Sequence, residues 1–420
     1  MSNTVLTIDV IAKEALMILD NELGAAKAVH RGLESEYGDA KNGFQAGATV
    51  SIKRPTDFTV RSGANASAQD VVEGKVSLTV DQQKGVDFSF TSQELTLNIK
   101  DLSERVIKPA MVQLANKIDG DVLSLASKVP NWVGTPGQVI NSFADFALAP
   151  QRLDEQAVMS DGRTAFLSPA DQWGLLGTQT GLFIQGAANS AYREGDLGKI
   201  GGVSTKMSQN VQSITMGSRT GSILMDLSIT SATIAYAAVK DTMIQTVHMD
   251  TFTGATDTVK AGEVFTIGTP GGTGVYAVNP VTKARLPWLK EFTVVSDATM
   301  ASNEGDVIMY PAAIWDGAFQ NVSVVGATDL NNLPINFKGT AGATYSQNVV
   351  FHKNAFALAI VPMVSPPGAV DVARESYKGT SVRMIPFYNG STDVSTFRLD
   401  VLYGLKAIDP RLATRISGTA

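Results

Sequence analysis

"TFRLDVLYGLKAIDPRLATRISG", residues 396–418, alternates apolar and polar side chains over most of its first half. Phe397, Leu399, Val401, Tyr403, Leu405 and Ala407 recur at period two, which sets them on one face of an extended strand. Arg398, Asp400, Gly404 and Lys406 fall on the other face, with Leu402 and Ile408 as apolar interruptions. The spacing predicts a strand closed at Asp409-Pro410, then a short tail carrying Arg411 and Arg415. A strand this regular needs a pairing partner, and a tail with two arginines needs a surface to reach.

Working back from that strand, residues 4–23 read as an amphipathic helix. Ile8, Ile11, Ala12, Ala15, Leu16, Leu19 and Leu23 recur at three- and four-residue steps, with Asp9, Lys13, Glu14 and Asp20 away from them. From 48 to 97 the pattern becomes strands: "ATVSIKR", then "KVSLTVD" and "GVDFSFT", with the polar stretch "RSGANASAQD" (61–70) between the first two. Long arms joined by such a tip make an extended hairpin, and the tip buries little by itself. Residues 101–128 carry the longest helical pattern, with a stripe through Leu102, Val106, Ala110, Leu114, Ile118, Val122 and Leu125. Pro109 should kink or restart it, because proline removes a helix donor. "SPADQWGLL" opens a further helix, with Ser168 at the N-cap and Asp171 in the first turn. Residues 218–343 show short alternating runs such as "GEVFTIG", "GVYAV" and "DVIMY" between Gly, Pro, Asn and Asp clusters, with almost no helical period. They read as a separate β-barrel or sandwich inserted into an α+β body. "NVVFHKNAFALAIVPM" then returns to the body with a buried run.

Composition excludes several function classes. Thirty-four basic against forty acidic residues give a net charge of −6, without the basic run that tight phosphate binding requires. The absence of cysteine excludes disulfides, thiolate nucleophiles and cysteine metal sites. The N-terminus has neither a basic start nor an unbroken apolar middle, and the longest apolar stretch, 355–364, is far below the ~18 residues of a membrane span. A soluble chain without membrane contact is expected.

The chemistry-bearing residues form no recognisable centre. His30, His248 and His352 lie far apart, and none has a metal-type spacing to another histidine or to a carboxylate. "GTPGGTG" (268–274) lacks the Lys-Ser/Thr of a phosphate loop and reads as a turn between strands. Asp119 and Asp121 flank Gly120, and residues two apart on a helix do not face each other, so they read as a solvated helix face. No nucleophile elbow, zinc-protease motif or calcium loop occurs. The expectation is no catalytic, cofactor-binding or metal residue, and no enzyme.

Six segments in order nevertheless resemble one family: "VSLTVDQQKGVDFSFTSQEL" (76–95), "ERVIKPAMVQLANKID" (104–119), "AYREGDLGKIGGVSTKMSQNV" (191–211), "AGEVFTIGTPGGTGVYAVNPVTK" (261–283), "FHKNAFALAIVPM" (351–363) and "FRLDVLYGLKAIDPRLATRI" (397–416). The chain resembles the coat proteins of short-tailed double-stranded DNA bacteriophages, the P-22 kind. It departs in the insertion, where "TPGG" lengthens a turn, and in the N-terminal helix, where only the pattern matches. The resemblance implies the Hong Kong 97 capsid fold with an inserted β-barrel. Its parts would be an N-terminal arm (1–45), an E-loop hairpin with flanking peripheral strands (46–100), a spine helix (101–130) and an axial and peripheral body (131–217). The inserted barrel (218–343), an axial segment (344–396) and a C-terminal peripheral strand and tail (397–420) would follow.

The same resemblance implies a function. The protein would be a major capsid protein assembling as pentamers and hexamers into an icosahedral shell around double-stranded DNA. Its partners would be copies of itself, a scaffolding protein during assembly and a portal protein at one vertex. DNA would be enclosed without tight specific binding, in a virion assembled in the host cytoplasm. Arg411 and Arg415 would lie near a subunit boundary, Arg61 at the hairpin tip would pair across an interface, and Asp9, Glu14 and Asp20 would meet a basic scaffold segment. An encapsulin-like shell protein, or another phage structural protein of the tail or adhesin kind, is the alternative. A β-rich hydrolase would lack any nucleophile–base pair.

Overall fold

The computed structural model describes residues 8–33, 49–54, 58, 60, 63–66, 68, 74–91, 103–179, 197–227, 229–232, 243–326, 330–366 and 372–419. The chain divides into two compact units. Met1–Ser51, Ser77–Val122 and Phe356–Lys406 make the first; Ile52–Val76, Leu123–Ala355 and Ala407–Ala420 make the second. The chain therefore leaves the second unit at 355–356, inside the segment 344–396 that the sequence treats as one piece.

In the first unit the alternating stretch is a fourteen-residue strand, Val394–Ala407. It pairs antiparallel with Thr380–Asn389 on one side and with Gln82–Thr91 on the other, the latter register running from Val394↔Thr91 to Tyr403↔Gln82. Ala373–Tyr377 and Phe356–Val361 complete the sheet. Leu399, Val401 and Tyr403 are fully buried. Gly404 is required by proximity: a Cβ there would stand 2.3 Å from the Thr79 carbonyl oxygen. The helix Ile8–Glu22 packs on Ala373–Tyr377 and Thr380–Asn389, and buries Ile11, Ala12, Ala15, Leu16 and Leu19 as its stripe predicts.

Pro109 acts as the restart. A π-type turn, Ser103–Ile107, gives way to the regular helix Lys108–Ser124, so the proline sits in the first turn, where no intrahelical donor is needed. The two aspartates on this helix depart from the expected solvated face. Asp119 is buried and accepts the Gly24 and Ala26 amides at 2.8 and 2.9 Å. Asp121 takes the Tyr403 hydroxyl and, at 2.7 Å, the Lys117 ammonium. Two residues apart they do point differently, but each direction ends on protein.

The second unit holds a mixed six-stranded sheet in the order Trp132–Val133, Ala413–Ile416, Asn348–His352, Arg163–Leu167, Val203–Met207 and Lys199–Ile200. The expected tail is thus a strand in mid-sheet, antiparallel to Asn348–His352 and parallel to Trp132–Val133. The helix Phe143–Glu155 packs Phe146, Ala149 and Leu153 into the same core as Val350 and Ile416. Pro150 lies inside this helix, which the periodicity of the sequence does not announce. Its local signal is "SFAD" at 142–145, where the Ser142 hydroxyl accepts the Asp145 amide at 3.0 Å. Ser168 caps Pro169–Gln179 in the same way, accepting the Asp171 amide at 3.3 Å.

Residues 221–337 of this unit carry an antiparallel sheet in the order Ile335–Phe337, Val264–Ile267, Glu291–Val294, Gly305–Tyr310, Gln245–Phe252 and Gly221–Met225. Its two outer strands approach each other: the Met225 amide donates to Leu333 at 2.9 Å and its carbonyl accepts from Asn332 at 2.7 Å. A three-stranded sheet, Arg285–Leu289, Gly274–Val278 and Val322–Val325, accompanies it. Phe252, Phe265, Phe292, Val275 and Val322 share one core. The chain reaches and leaves this region side by side, since Ser213–Thr215 pairs with Thr344–Ser346 and the Met216 amide donates to Ala343 at 2.9 Å.

Candidate functional site

Arg415, the tail arginine expected at a subunit boundary, is buried inside the second unit. In the strand Ala413–Ile416, Ile416 joins the core with Phe146, which leaves Arg415 on the opposite face. Arg415 is fully buried. Its Nε donates to the Val129 carbonyl at 2.8 Å, and one terminal nitrogen donates to the Gly262 carbonyl and the Gln347 amide oxygen, both at 2.7 Å. The other reaches Val129, Ser127 at 3.1 Å and the Thr293 hydroxyl at 3.3 Å. The guanidinium carbon stands 5.1 Å from the Trp132 ring centroid, within cation–π range. Burial pulls its pKa down to about 9, which leaves it charged at neutral pH. This one side chain ties the 127–129 segment to the body sheet and to the 221–337 region, a role that a regular two-residue period conceals.

A second charged group lies on the same seam. Glu291 is buried, pairs with Lys338 at 2.6 Å and Arg152 at 3.2 Å, and accepts the Trp132 amide at 2.7 Å. Burial alone would raise its carboxyl, but the two cations and the N–H donors hold it below the usual range. Arg152 also lies 3.7 Å over the Trp288 ring, whose indole N–H donates to Glu155 at 2.7 Å. The neighbouring Lys290 is buried and forms no ion pair among the described residues. Its pKa falls to about 8 through burial and the nearby Arg411. Where the chain reaches and leaves the region, buried Arg219 pairs with buried Glu263, and donates to the Gly339 carbonyl at 2.9 Å.

The remaining residues singled out by sequence do not come together. Arg411 is partly exposed and grips Asp409, two residues away, at 2.8 Å. Arg61 lies outside the described residues. On the N-terminal helix, Asp20 pairs with Lys27 at 3.4 Å and Lys13 reaches Glu375 at 3.7 Å. Glu14 is half-buried, and the Asp9 side chain lies outside the described residues. His352 is buried, and burial lowers its pKa, as expected for a structural histidine. No helix among the described residues is long and apolar enough to cross a membrane.

The family described as "P22 coat protein - gene protein 5" matches residues 1–418. The chain belongs to the P22 coat protein family. The coat protein is accordingly a major capsid protein of a tailed phage, a structural component of the virion. It is 24% identical over 401 residues to the major capsid protein of Acyrthosiphon pisum secondary endosymbiont phage 1, a match covering 89% of each chain. Among solved structures it is similar to a chain of Mycobacterium phage Che8, at 13% identity and TM-score 0.48, covering 94% of this chain and 90% of that one. It is also similar to a chain of the bacteriophage PhiM1 mature capsid, at 12% identity and TM-score 0.42, covering 90% of each.

Two surface features of the coat protein remain to be placed. On the long ribbon of the first unit, Phe397 stacks on Phe88 at 5.6 Å and meets Phe90 edge-on at 6.2 Å, while Phe387 and Tyr388 on the next strand are exposed. On the 221–337 sheet, His248 is surrounded by carboxylates from neighbouring strands. Its Nδ1 bonds Asp306 at 2.7 Å, and this hydrogen bond is the first cause of its raised pKa. The sequence spacing gave no hint of this group, because antiparallel pairing brings together residues that lie as far apart as 226 and 304.

Proposed function

We propose that this coat protein adopts the Hong Kong 97 fold and self-assembles as pentamers and hexamers into an icosahedral shell enclosing double-stranded DNA. The observation that carries the proposal is family membership over nearly the whole chain. The partly exposed aromatic ribbon around Phe88, Phe397 and Tyr388 supports it, since one subunit alone leaves that apolar surface against water. The 221–337 sheet, with its outer strands hydrogen-bonded and its ends side by side, is proposed as the inserted barrel, in keeping with the expected 218–343 segment. A scaffolding protein is proposed to guide assembly in the host cytoplasm through the acidic N-terminal helix, and a portal protein to occupy one vertex. Arg61 and Arg411 remain the proposed contacts with neighbouring subunits. Electron microscopy of the purified, co-expressed coat and scaffold tests this reading. Closed isometric shells are expected, and fibres or small monodisperse oligomers would overturn it.

A further inference from the structure

Strand register puts five ionisable side chains on one outward face of the six-stranded sheet. Val247 and Met249 point into the core, so His248 and Asp250 point out. On one neighbouring strand, buried Met225 pairs with Met249 and sends Asp226 outward. On the other, Asp306 stands directly opposite His248, and Glu304 lies two residues away, before Gly305. His248, Asp250 and Asp306 stand on strands, and Asp226 and Glu304 each lie one residue beyond a strand end, so none depends on a long loop.

The distances within the group are informative. His248 Nε2 lies 3.8 Å from an Asp226 oxygen and 3.9 Å from a Glu304 oxygen, and the three donor atoms all lie within 4.8 Å of one another. These separations are too long for hydrogen bonds. They are near those of ligands sharing one ion, because metal–ligand bonds of about 2.0–2.2 Å in a tetrahedron hold donor atoms ~3.4 Å apart. The Asp306 bond to Nδ1 fixes the ring so that Nε2 faces the two carboxylates, the outer-shell arrangement found behind metal-bound imidazoles. Charge points the same way. The ion pairs of Asp226, Glu304 and Asp306 among the described residues all run to the single imidazole, with no lysine or arginine. Asp250 Oδ1 is sealed from solvent without a donor.

We propose that Asp226, His248 and Glu304 form a binding site for a divalent cation of the zinc class, with Asp306 as the residue that orients the imidazole. Nitrogen plus carboxylate oxygen suits zinc or a similar transition ion, whereas calcium and magnesium favour all-oxygen sets. Bound there, the ion would clip three adjacent strands of the sheet together and neutralise the acidic face.

The test is calorimetric titration of Zn²⁺ into the full-length coat protein after EDTA dialysis, with Ca²⁺ and Mg²⁺ titrated separately. One Zn²⁺ per subunit is expected, with a higher unfolding temperature in its presence. His248→Ala should abolish binding. Asp306→Asn should weaken it about 10–100-fold, as loss of an outer-shell partner does elsewhere. Glu304→Gln, which is isosteric and exposed, guards against a variant that fails to fold, and should also weaken binding. No Zn²⁺ binding by the unaltered protein would overturn the proposal. Equal affinity in His248→Ala and Glu304→Gln would do so too, by placing the ion at another site, and tighter Ca²⁺ than Zn²⁺ binding would overturn the cation class.

Discussion

Replacing Arg415 with methionine should destabilise the isolated subunit, and the size of the effect follows from what the guanidinium leaves behind. Its acceptors are the carbonyls of Ser127, Val129 and Gly262, the Gln347 amide oxygen and the Thr293 hydroxyl. Gln347 and Thr293 can turn to other partners. The backbone carbonyls of Val129 and Gly262 cannot move, and each orphaned acceptor costs about 1–3 kcal/mol. Methionine recovers some apolar contact with Trp132 and removes the cost of burying a charge. The two fixed carbonyls therefore set the net loss at roughly 2–6 kcal/mol. Arg415→Lys keeps the charge but offers three donors from one point. It cannot span acceptors on opposite sides of the fork, and should fall between the two.

Urea unfolding of monomeric subunits, followed by circular dichroism, reads this directly, with an unchanged m-value marking a pure stability effect. By heat, the methionine variant should melt roughly 4–24 °C lower, at about 2–4 °C per kcal/mol for a large domain. The assay separates the buried role from the boundary role that the tail suggests in sequence. At a boundary, the variant monomer would unfold like the original protein, and only assembled shells would lose heat resistance. A monomer loss below ~1 kcal/mol, within the range of ordinary surface substitutions and their scatter, would refute the anchoring role.

Three further outcomes are expected. Lys290 carries a folded pKa of about 8 against 10.5, so the unfolded chain binds more protons between those values and stability should rise with pH across that window; Lys290→Met should gain up to ~3 kcal/mol at pH 7, shrinking towards pH 10.5, and a pH-independent difference in urea midpoints would contradict this. Asp119→Ala leaves the buried Ala26 amide without its acceptor, so the N-terminal helix should be released at a cost of about 1–3 kcal/mol; limited proteolysis that cuts no faster near residues 24–26 would argue against it. Glu14→Ala should reduce scaffold co-assembly at low salt and change little at high salt, since exposed charge contacts are screened within ~8–10 Å; co-assembly unaffected at low salt would remove Glu14 from the contact.

Local periodicity carried much of this fold. The two-residue alternation of 397–407 and the stripe from Ile11 to Leu23 both depend on one face being buried, and neighbours within a few residues determine that face. Pro109 was legible for a related reason, as its missing donor restricts it to a first turn. The helix Phe143–Glu155 is less legible, since an internal proline, Pro150, disfavours a helix that its Ser142 cap supports. The charged centres were less legible still. Asp119 looks solvated until the chain after the first helix folds over it, and His248 looks solitary until three strands fall into register. Nothing in the spacing of residues 226, 248 and 304 encodes that register. It is set by the apolar residues beside them, Met225, Met249 and Val307, which must share one core.

The three buried groups on the body seam differ in the way they balance charge, and this should decide which substitutions are tolerated. Glu291 meets its opposites, Lys338 and Arg152, so removing the carboxylate strands two cations and a buried Trp132 amide. Arg415 meets only neutral acceptors, so removing it strands dipoles and no charge. Lys290 forms no ion pair among the described residues, and removing it relieves a desolvated charge. Losses at Glu291 should therefore be at least as large as at Arg415, while Lys290 changes sign. That order also explains the geometry. A region joined to its body through two adjacent strands, 213–215 and 344–346, has little backbone to fix its orientation. Glu291 with Trp132 and Arg152, and Arg415 with Gly262 and Thr293, supply directional contacts that an apolar seam alone would lack.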